Sequence, residues 1–330
     1  MNITIKHVRS ASDDEWDQTW MGCDYATYYH SRHWHNIWKS YLRGKIHPAA
    51  KVFEFSDGKQ MIFPVSCHRI GFGILRRYLS SPARTYGGPI SVEDLTTDHA
   101  TAFYEFIAKY YQNIIYRMSP FHMPFYLQNN ERLVTPDTTY VLNLQREFNA
   151  IVKSWTKGHR SAVTKARNAG MRIRVGDTEK DWRDYYKIYL STFSRWGDRA
   201  TSKYKWNFFK ILSDADSQYV KLWIAEYQEK PVAGAVIFYA KRHAVYGYSA
   251  ALGEFFQLRP VNLIIYEIVN DLHARNYLWF DFNASGGHKG VMNFKKSFGS
   301  VEQPCSIIDS QSHAIRILEG LYKKWMVKLS

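Results

Sequence analysis

Residues Tyr277 to Gly299, YLWFDFNASGGHKGVMNFKKSFG, decide how this chain is read. Leu278, Phe280 and Phe282 alternate with Trp279 and Asp281, the pattern of a strand in which all but Asp281 can be buried. The strand breaks into a glycine-rich loop, Ser285-Gly286-Gly287-His288-Lys289-Gly290. The loop closes on Asn293-Phe294-Lys295-Lys296-Ser297-Phe298-Gly299, where two cations stand between two rings. A buried strand that ends in such a loop and a Phe-Lys pair is a place for an active site. The same pattern also reads as a strand, a solvated loop and a surface lysine pair.

Outward from this stretch, the 330 residues allow one large domain or two ordinary ones. Abundant Tyr and Trp suit a groove lined by amphipathic rings. No run of about 20 apolar residues occurs, so no membrane span is expected, and the N-terminus lacks a signal-peptide core. Cys23, Cys67 and Cys305 are scattered and odd in number, which points to a reducing, cytoplasmic compartment and away from zinc. The net charge of +14 is uneven: residues 1–150 hold 16 Lys/Arg against 14 Asp/Glu, residues 151–330 hold 28 against 16. The densest part, Phe148 to Gly176, contains Lys153, Lys157, Arg160, Lys165 and Arg167 and no acid. A polyanionic partner is implied for the second half: nucleic acid, a nucleotide, a diphosphate lipid or an anionic membrane surface.

Local signals give the element order. Ser12 with Glu15 three residues on forms a capping box for a helix through Trp20. Ser31 caps a helix over Arg32 to Leu42, and Asp57-Gly58 turns a hairpin. Phe148 to Ala169 reads as one basic helix closed by Gly170. A second hairpin turns at Gln228-Glu229-Lys230-Pro231, and Pro260 opens a helix to Ala274. The two halves repeat one order of elements, with Tyr86-Gly87 matching Tyr246-Gly247 and Ile114 to Met118 matching Leu278 to Phe282. Two copies of one α+β unit explain this: residues 1–147, residues 148–312, and a terminal helix over 313–330 that packs back on the first. P-loop, zincin and serine-hydrolase signatures are absent.

The strand, strand, helix, strand order of the second half suits the GNAT acyltransferase fold, and the chain resembles the Fem-type (FemABX) aminoacyltransferases, which are two GNAT-like domains in tandem with mixed central sheets. The resemblance rests on Lys157-Gly158-His159-Arg160 through Met171, on Ala233-Gly234, on Tyr246-Gly247-Tyr248-Ser249 and on Arg259-Pro260. Above all it rests on Phe280-Asp281-Phe282 followed by Asn293-Phe294-Lys295 and Phe298-Gly299. It implies transfer of an amino acid from aminoacyl-tRNA to an amine of a peptidoglycan precursor or similar acceptor. It implies no bound cofactor, and peripheral association with the inner membrane face is compatible with it.

The same resemblance implies that Lys295 stabilises the oxyanion while Phe294 keeps it partly dry. Tyr248, Tyr204 and Trp206 would grip the acceptor, with Trp34 and Trp38 lining the groove from the first domain. Asp281 is the nearest candidate base, or it orders the loop. The coiled-coil insert of some family members is missing. At the place of a CoA pyrophosphate loop the chain reads QLRPVNL, residues 257–263, without glycines; glycine-free backbone crowds a pyrophosphate less closely. An acyl-CoA-dependent N-acyltransferase acting on a surface-polysaccharide or small-molecule amine, and an RNA-binding module without catalysis, are the alternatives.

Overall fold

The computed structural model describes residues 3–70, 75–126, 134–196, 203–285, 288–312 and 315–316. The chain forms two compact units, one of residues 1–137 and 304–330, the other of residues 138–303. The boundaries therefore differ from the expected 147/148 and 312/313. The reason is strand pairing: a strand before each expected boundary joins a sheet on its far side. Of the expected terminal helix, Ile315 and Arg316 are helical and the rest lies outside the described residues.

In the first unit the strands are β1 (Ile5–Ser10), β2 (Ile46–Pro48), β3 (Lys51–Phe55), β4 (Gln60–Phe63), β5 (Ser66–Ile70), β6 (Leu75–Leu79), β7 (Ile114–Arg117) and β8 (Val134–Thr135). The helices are α1 (Asp13–Gly22), α2 (Arg32–Tyr41) and α3 (Thr97–Tyr110). Ser12 and Glu15 close the predicted capping box, and Ser31 Oγ accepts from Trp34 N–H. Among the described residues, one sheet has the order β1-β3-β4; the other runs β2-β5-β6-β7-β16-β8, its β16 (Ile307–Asp309) arriving from the chain's far end. β6 and β7 are parallel, with α3 between them in sequence. Phe53, Phe63, Phe103 and Tyr116 pack edge to face at the core.

The second unit contains β9 (Thr138–Asn143), α4 (Phe148–Ser154), α5 (Lys157–Asn168), β10 (Arg172–Gly176), α6 (Glu179–Trp196), α7 (Trp206–Ser213), β11 (Val220–Tyr227), β12 (Lys230–Tyr239), β13 (His243–Ala251), α8 (Pro260–Ala274), β14 (Trp279–Asp281), α9 (Lys289–Lys296) and β15 (Val301–Pro304). Its sheet runs β10-β11-β12-β13-β14-β9-β15. The β11–β12 turn uses Gln228 and Glu229, both at positive φ, as a tight two-residue hairpin demands. β13 and β14 are parallel and joined through α8, whose Leu263, Ile264, Ile268 and Leu272 are buried against the sheet. Each unit thus contains a parallel strand pair with a helix between, and the tandem α+β, GNAT-like architecture with mixed sheets stands.

Two local expectations change. The single basic helix is two, because Trp155 takes an extended conformation between α4 and α5. The carbonyls freed there are met by Arg160, which donates to Lys153 O (2.8 Å) and to Trp155 O. The Phe294-Lys295 pair sits on α9 rather than on a strand or loop.

α9 is ended by Gly299 at φ +71, where a Cβ would lie 2.2 Å from Ser154 Oγ and 3.2 Å from Ser154 O. Both the left-handed conformation and the close approach require glycine. Gly299→Ala should lower unfolding stability by about 2 kcal/mol, seen as an earlier urea midpoint; an unchanged midpoint would show that α4 and α9 do not depend on this contact.

Candidate active site

The site begins where β14 stops. β13 pairs with β14 only over His243 to Val245, opposite Trp279 to Asp281, and then runs on to Ala251 with β12 but without β14. Beyond Asp281 the chain stays with β9, Phe282 N–H donating to Tyr140 O (2.8 Å). The two parallel strands therefore part. Ser249, Ala250 and Ala251 of β13 line one wall of a cleft of about 770 Å³. Arg259 to Asn262 at the start of α8, His288 to Val291 with Phe294 of α9, and Thr192 and Arg195 of α6 complete it.

Asp281 itself is fully buried, contrary to its reading as the one exposed position of its strand. A buried carboxylate is costly unless it is bonded. Its Oδ1 accepts from Thr139 Oγ1 (2.6 Å) and from Asn283 N–H (2.7 Å), and Oδ2 lies 3.5 Å from His243 Nε2. Those contacts come from β9, β13 and the turn after β14, so Asp281 knits the strand ends together. Asn283, at φ +64, makes the turn, a conformation that Asn tolerates. Lys295, only 6% exposed, grips the same turn from the other side: its Nζ donates to Asn283 O (2.6 Å) and Ala284 O (3.2 Å). Phe294 stands in the cleft wall, its ring 5.5 Å from His159 and 5.1 Å from Phe298.

His159 extends this wall. Asn262 Nδ2 donates to its Nδ1 (2.6 Å), which leaves the ring proton on Nε2. Burial, and then the charge of Arg259, push its pKa below the ordinary 6.5. Arg195 is fixed at the mouth by Ala251 O (2.8 Å) and Thr192 Oγ1 (3.3 Å), and lies 4.9 Å from the Phe256 ring. Among the described residues, Arg195, Arg259 and Lys289 give the cleft three cations, and no carboxylate lines it. Such a cleft attracts an anionic ligand. The first turn of α8 adds little to this. Pro260 has no N–H, and Asn262 N–H donates to Arg259 O (3.2 Å), so Val261 alone has an amide there for an anion.

The other expected site residues divide. Tyr248 and Tyr204 do meet, ring centres 5.5 Å apart, in a cluster with Phe208 and Phe209. Trp206 packs on Tyr186 and beneath the Arg183 guanidinium, which lies 4.6 Å from its ring. Trp34 and Trp38, expected to line a groove, are instead buried in the first unit, and Trp34 Nε1 donates to Thr85 Oγ1 (3.1 Å). Of the expected polyanion contacts, Lys153, Lys157 and Lys165 are exposed. Arg160 is taken by the α4 carbonyls, while Arg167 pairs with Glu267 (2.7 Å) over the Tyr266 ring. Arg195, Arg259, Asn262 and Lys289 were not singled out as site residues from the sequence. Arg259-Pro260 and His159 stood in the family-like stretches, but no spacing rule ties Arg195 to them.

Comparison with known proteins agrees with this geometry. Residues 153–296 match the family profile described as Acetyltransferase (GNAT) domain. None of the curated proteins compared matches the sequence. Among solved structures, FemX is similar at 11% identity and TM-score 0.71, covering 96% of this chain and 99% of that one. The C-terminal domain of a putative lysylphosphatidylglycerol synthetase from Agrobacterium fabrum is similar at 11% identity and TM-score 0.57, covering 94% and 96%. A conserved protein of unknown function from Bacteroides thetaiotaomicron is similar at 12% identity and TM-score 0.57, covering 93% and 100%. At these identities the likeness is one of fold, and in fold the Fem-type resemblance holds. The matched residues lie within the second unit, and the match supports an N-acyltransferase in general.

Neutral His159 makes stability depend on pH. Its folded pKa is lowered, so the unfolded chain binds a proton first on acidification. The contribution is complete above 6.5 and is lost as pH falls below that value. Thermal midpoints measured from about pH 8 to about pH 5 should fall less steeply for His159→Gln than for the natural chain; parallel slopes would contradict this.

Proposed function

We propose that this chain transfers an aminoacyl group from aminoacyl-tRNA to an amine of a peptidoglycan precursor or similar acceptor. The observation that carries the reading is the three-cation cleft beside Phe294, with no carboxylate among its described lining residues, at the place where β13 and β14 part. A tRNA 3′ end brings phosphates that Arg195, Arg259 and Lys289 can meet as charges. A CoA pyrophosphate is ordinarily cradled by backbone amides at a helix start, and here α8 offers one. Lys153, Lys157 and Lys165 extend the cationic surface that the rest of the tRNA would follow. Tyr248 and Tyr204 would contact the acceptor. The donor is a substrate, no separate cofactor is needed, and a tRNA donor places the reaction in the cytoplasm.

In the reaction the acceptor nitrogen attacks the ester carbonyl carbon and a C–N bond forms. The carbonyl oxygen becomes an oxyanion. The C–O bond to the ribose then breaks, and the ribose oxygen leaves with the proton given up by the amine. A buried ammonium stabilises such developing charge because little water screens it. Lys295, buried behind the turn and not among the residues that line the cleft, acts through the peptide units whose carbonyls it holds, strengthening the Ser285 N–H as a donor toward that charge. Phe294 keeps water from the carbonyl. Asp281, fully buried and held by Thr139, is out of reach of an acceptor amine and serves to order the turn.

Incubation with charged tRNA and an acceptor peptide should yield a product heavier by one amino-acid residue. Lys295→Met should lower kcat by about 10²–10³-fold with its thermal midpoint recorded alongside. Arg259→Ala and Lys289→Ala should chiefly raise KM for the charged tRNA. Thiol release from an acyl-CoA, insensitive to ribonuclease and with no tRNA-dependent product, would replace the donor named here.

A further inference from the structure

The chain covers its phenylalanine and tryptophan rings, with one exception among the described side chains: Phe256 is 48% exposed. A ring left in water forgoes favourable burial. On an open surface a single such ring is ordinary, but this one stands in the wall of the candidate cleft.

The local chain holds the ring there. Gly253–Leu258 is a 3-10 turn between β13 and α8. With three residues per turn, adjacent side chains point in different directions. Phe255 turns inward onto the core beside Tyr227, ring centres 5.9 Å apart, and Phe256 turns outward. The Arg195 guanidinium lies 4.9 Å from the Phe256 ring centre, drawn to its π face. Its bonds to Ala251 O and Thr192 Oγ1 keep it in place. It covers only part of the ring, since half of Phe256 stays exposed. Arg259 and Lys289 line the same cleft. An open aromatic face and three cations are therefore gathered at one site.

We propose that Phe256 is the platform on which the nucleobase of the donor stacks, while the cations beside it meet the phosphates. A nucleotide carries both halves of this chemistry, a flat π face and an anionic linker. An acyl chain or an apolar peptide side chain would cover the ring but give the cations nothing. A phosphate without a base would meet the cations and leave the ring in water. Stacking tells one base from another only weakly, so the ligand class is a nucleotide. Adenosine is the nucleoside at the 3′ end of a tRNA and also the one in coenzyme A. The inference rests on the cleft being the donor site, as proposed above, and not on which donor enters it.

Calorimetric titration of the full chain with adenosine 5′-monophosphate and with ribose 5-phosphate tests it. The two probes share sugar and phosphate and differ by the base. The natural chain should bind the monophosphate about tenfold more tightly than the sugar phosphate. Phe256→Leu keeps apolar bulk and loses the π face, and should bind the two probes nearly alike. Phe256→Trp should keep the difference or widen it, with matching circular dichroism for all three proteins. Equal binding of the two probes by the natural chain overturns the proposal, and that comparison needs no variant to fold. A difference that survives in Phe256→Leu overturns it as well. Competition then separates the two sources of adenosine. Displacement of the monophosphate by a short RNA hairpin ending in CCA supports the platform together with the tRNA donor. Displacement by coenzyme A, and not by the hairpin, supports the platform and replaces the donor. Displacement by neither overturns the place of Phe256 in the donor site.

Discussion

One backbone turn is held between two buried charges. Asp281 accepts the N–H of Asn283, and Lys295 donates to the carbonyls of Asn283 and Ala284. Each charge alone would be expensive to bury. Set on the two ends of one short peptide stretch, they compensate one another through its dipoles and fix its direction. That direction matters because it takes the chain away from β13. With β14 ended at Asp281 and Phe282 still bonded to β9, β13 runs on without a parallel neighbour. The gap so made is the cleft, and the ammonium that holds the turn is the one assigned to the chemistry. On the proposed mechanism, the fold's stability and its reactivity draw on the same side chain.

Formal charge says little about where cations are available. In the second unit Arg160 closes the break between α4 and α5, Arg167 bridges to Glu267 of α8, and Arg174 joins Asp181 and Glu226. These three arginines stood in the densest basic stretch and all have intramolecular partners. Arg195, Arg259 and Lys289, from three separate elements, instead converge on one cavity. Carboxylates near the first group lower the cost of close packing; with none among the described residues of the cleft, its potential is positive. Charge pairing, more than charge count, decides which basic residues face a ligand.

What the sequence made legible was local. The Ser12–Glu15 capping box, the Asp57-Gly58 hairpin, the Pro260 helix start and the strand before Phe282 are each signalled within a few residues, and each is present in the structure. Asp281 was misplaced because alternation assigns a face and cannot see Thr139 or His243 arriving from other strands. The break at Trp155 was hidden because the apolar spacing of α4 continues into α5, with Ile151, Trp155, Ala162 and Val163 all buried. Trp34 and Trp38 look alike as groove residues or core residues until their neighbours are known. The helix that carries Lys295 was missed, since Gly290 and the preceding glycines hide a short helical run.

The domain boundaries failed for a related reason, and it bears on how the chain must fold. β7 and β14 play the same part in the two units, each parallel to one neighbour and antiparallel to another. In both cases the antiparallel neighbour is far away in sequence. β7 receives Ile307 to Asp309 from beyond the second unit, and β14 receives Val141 to Asn143 from just after the first. The second unit is thus complete within one stretch of chain, whereas the first waits for residues that follow it. Closing a long loop costs little more than closing a moderate one, so the late strand is thermodynamically acceptable, but contacts so distant in sequence form slowly. The unit that carries the candidate site is complete once its own stretch of chain has been made, and the first unit, whose six-stranded sheet includes the β5–β6 hairpin, acquires its strand β16 only after the second unit has been made.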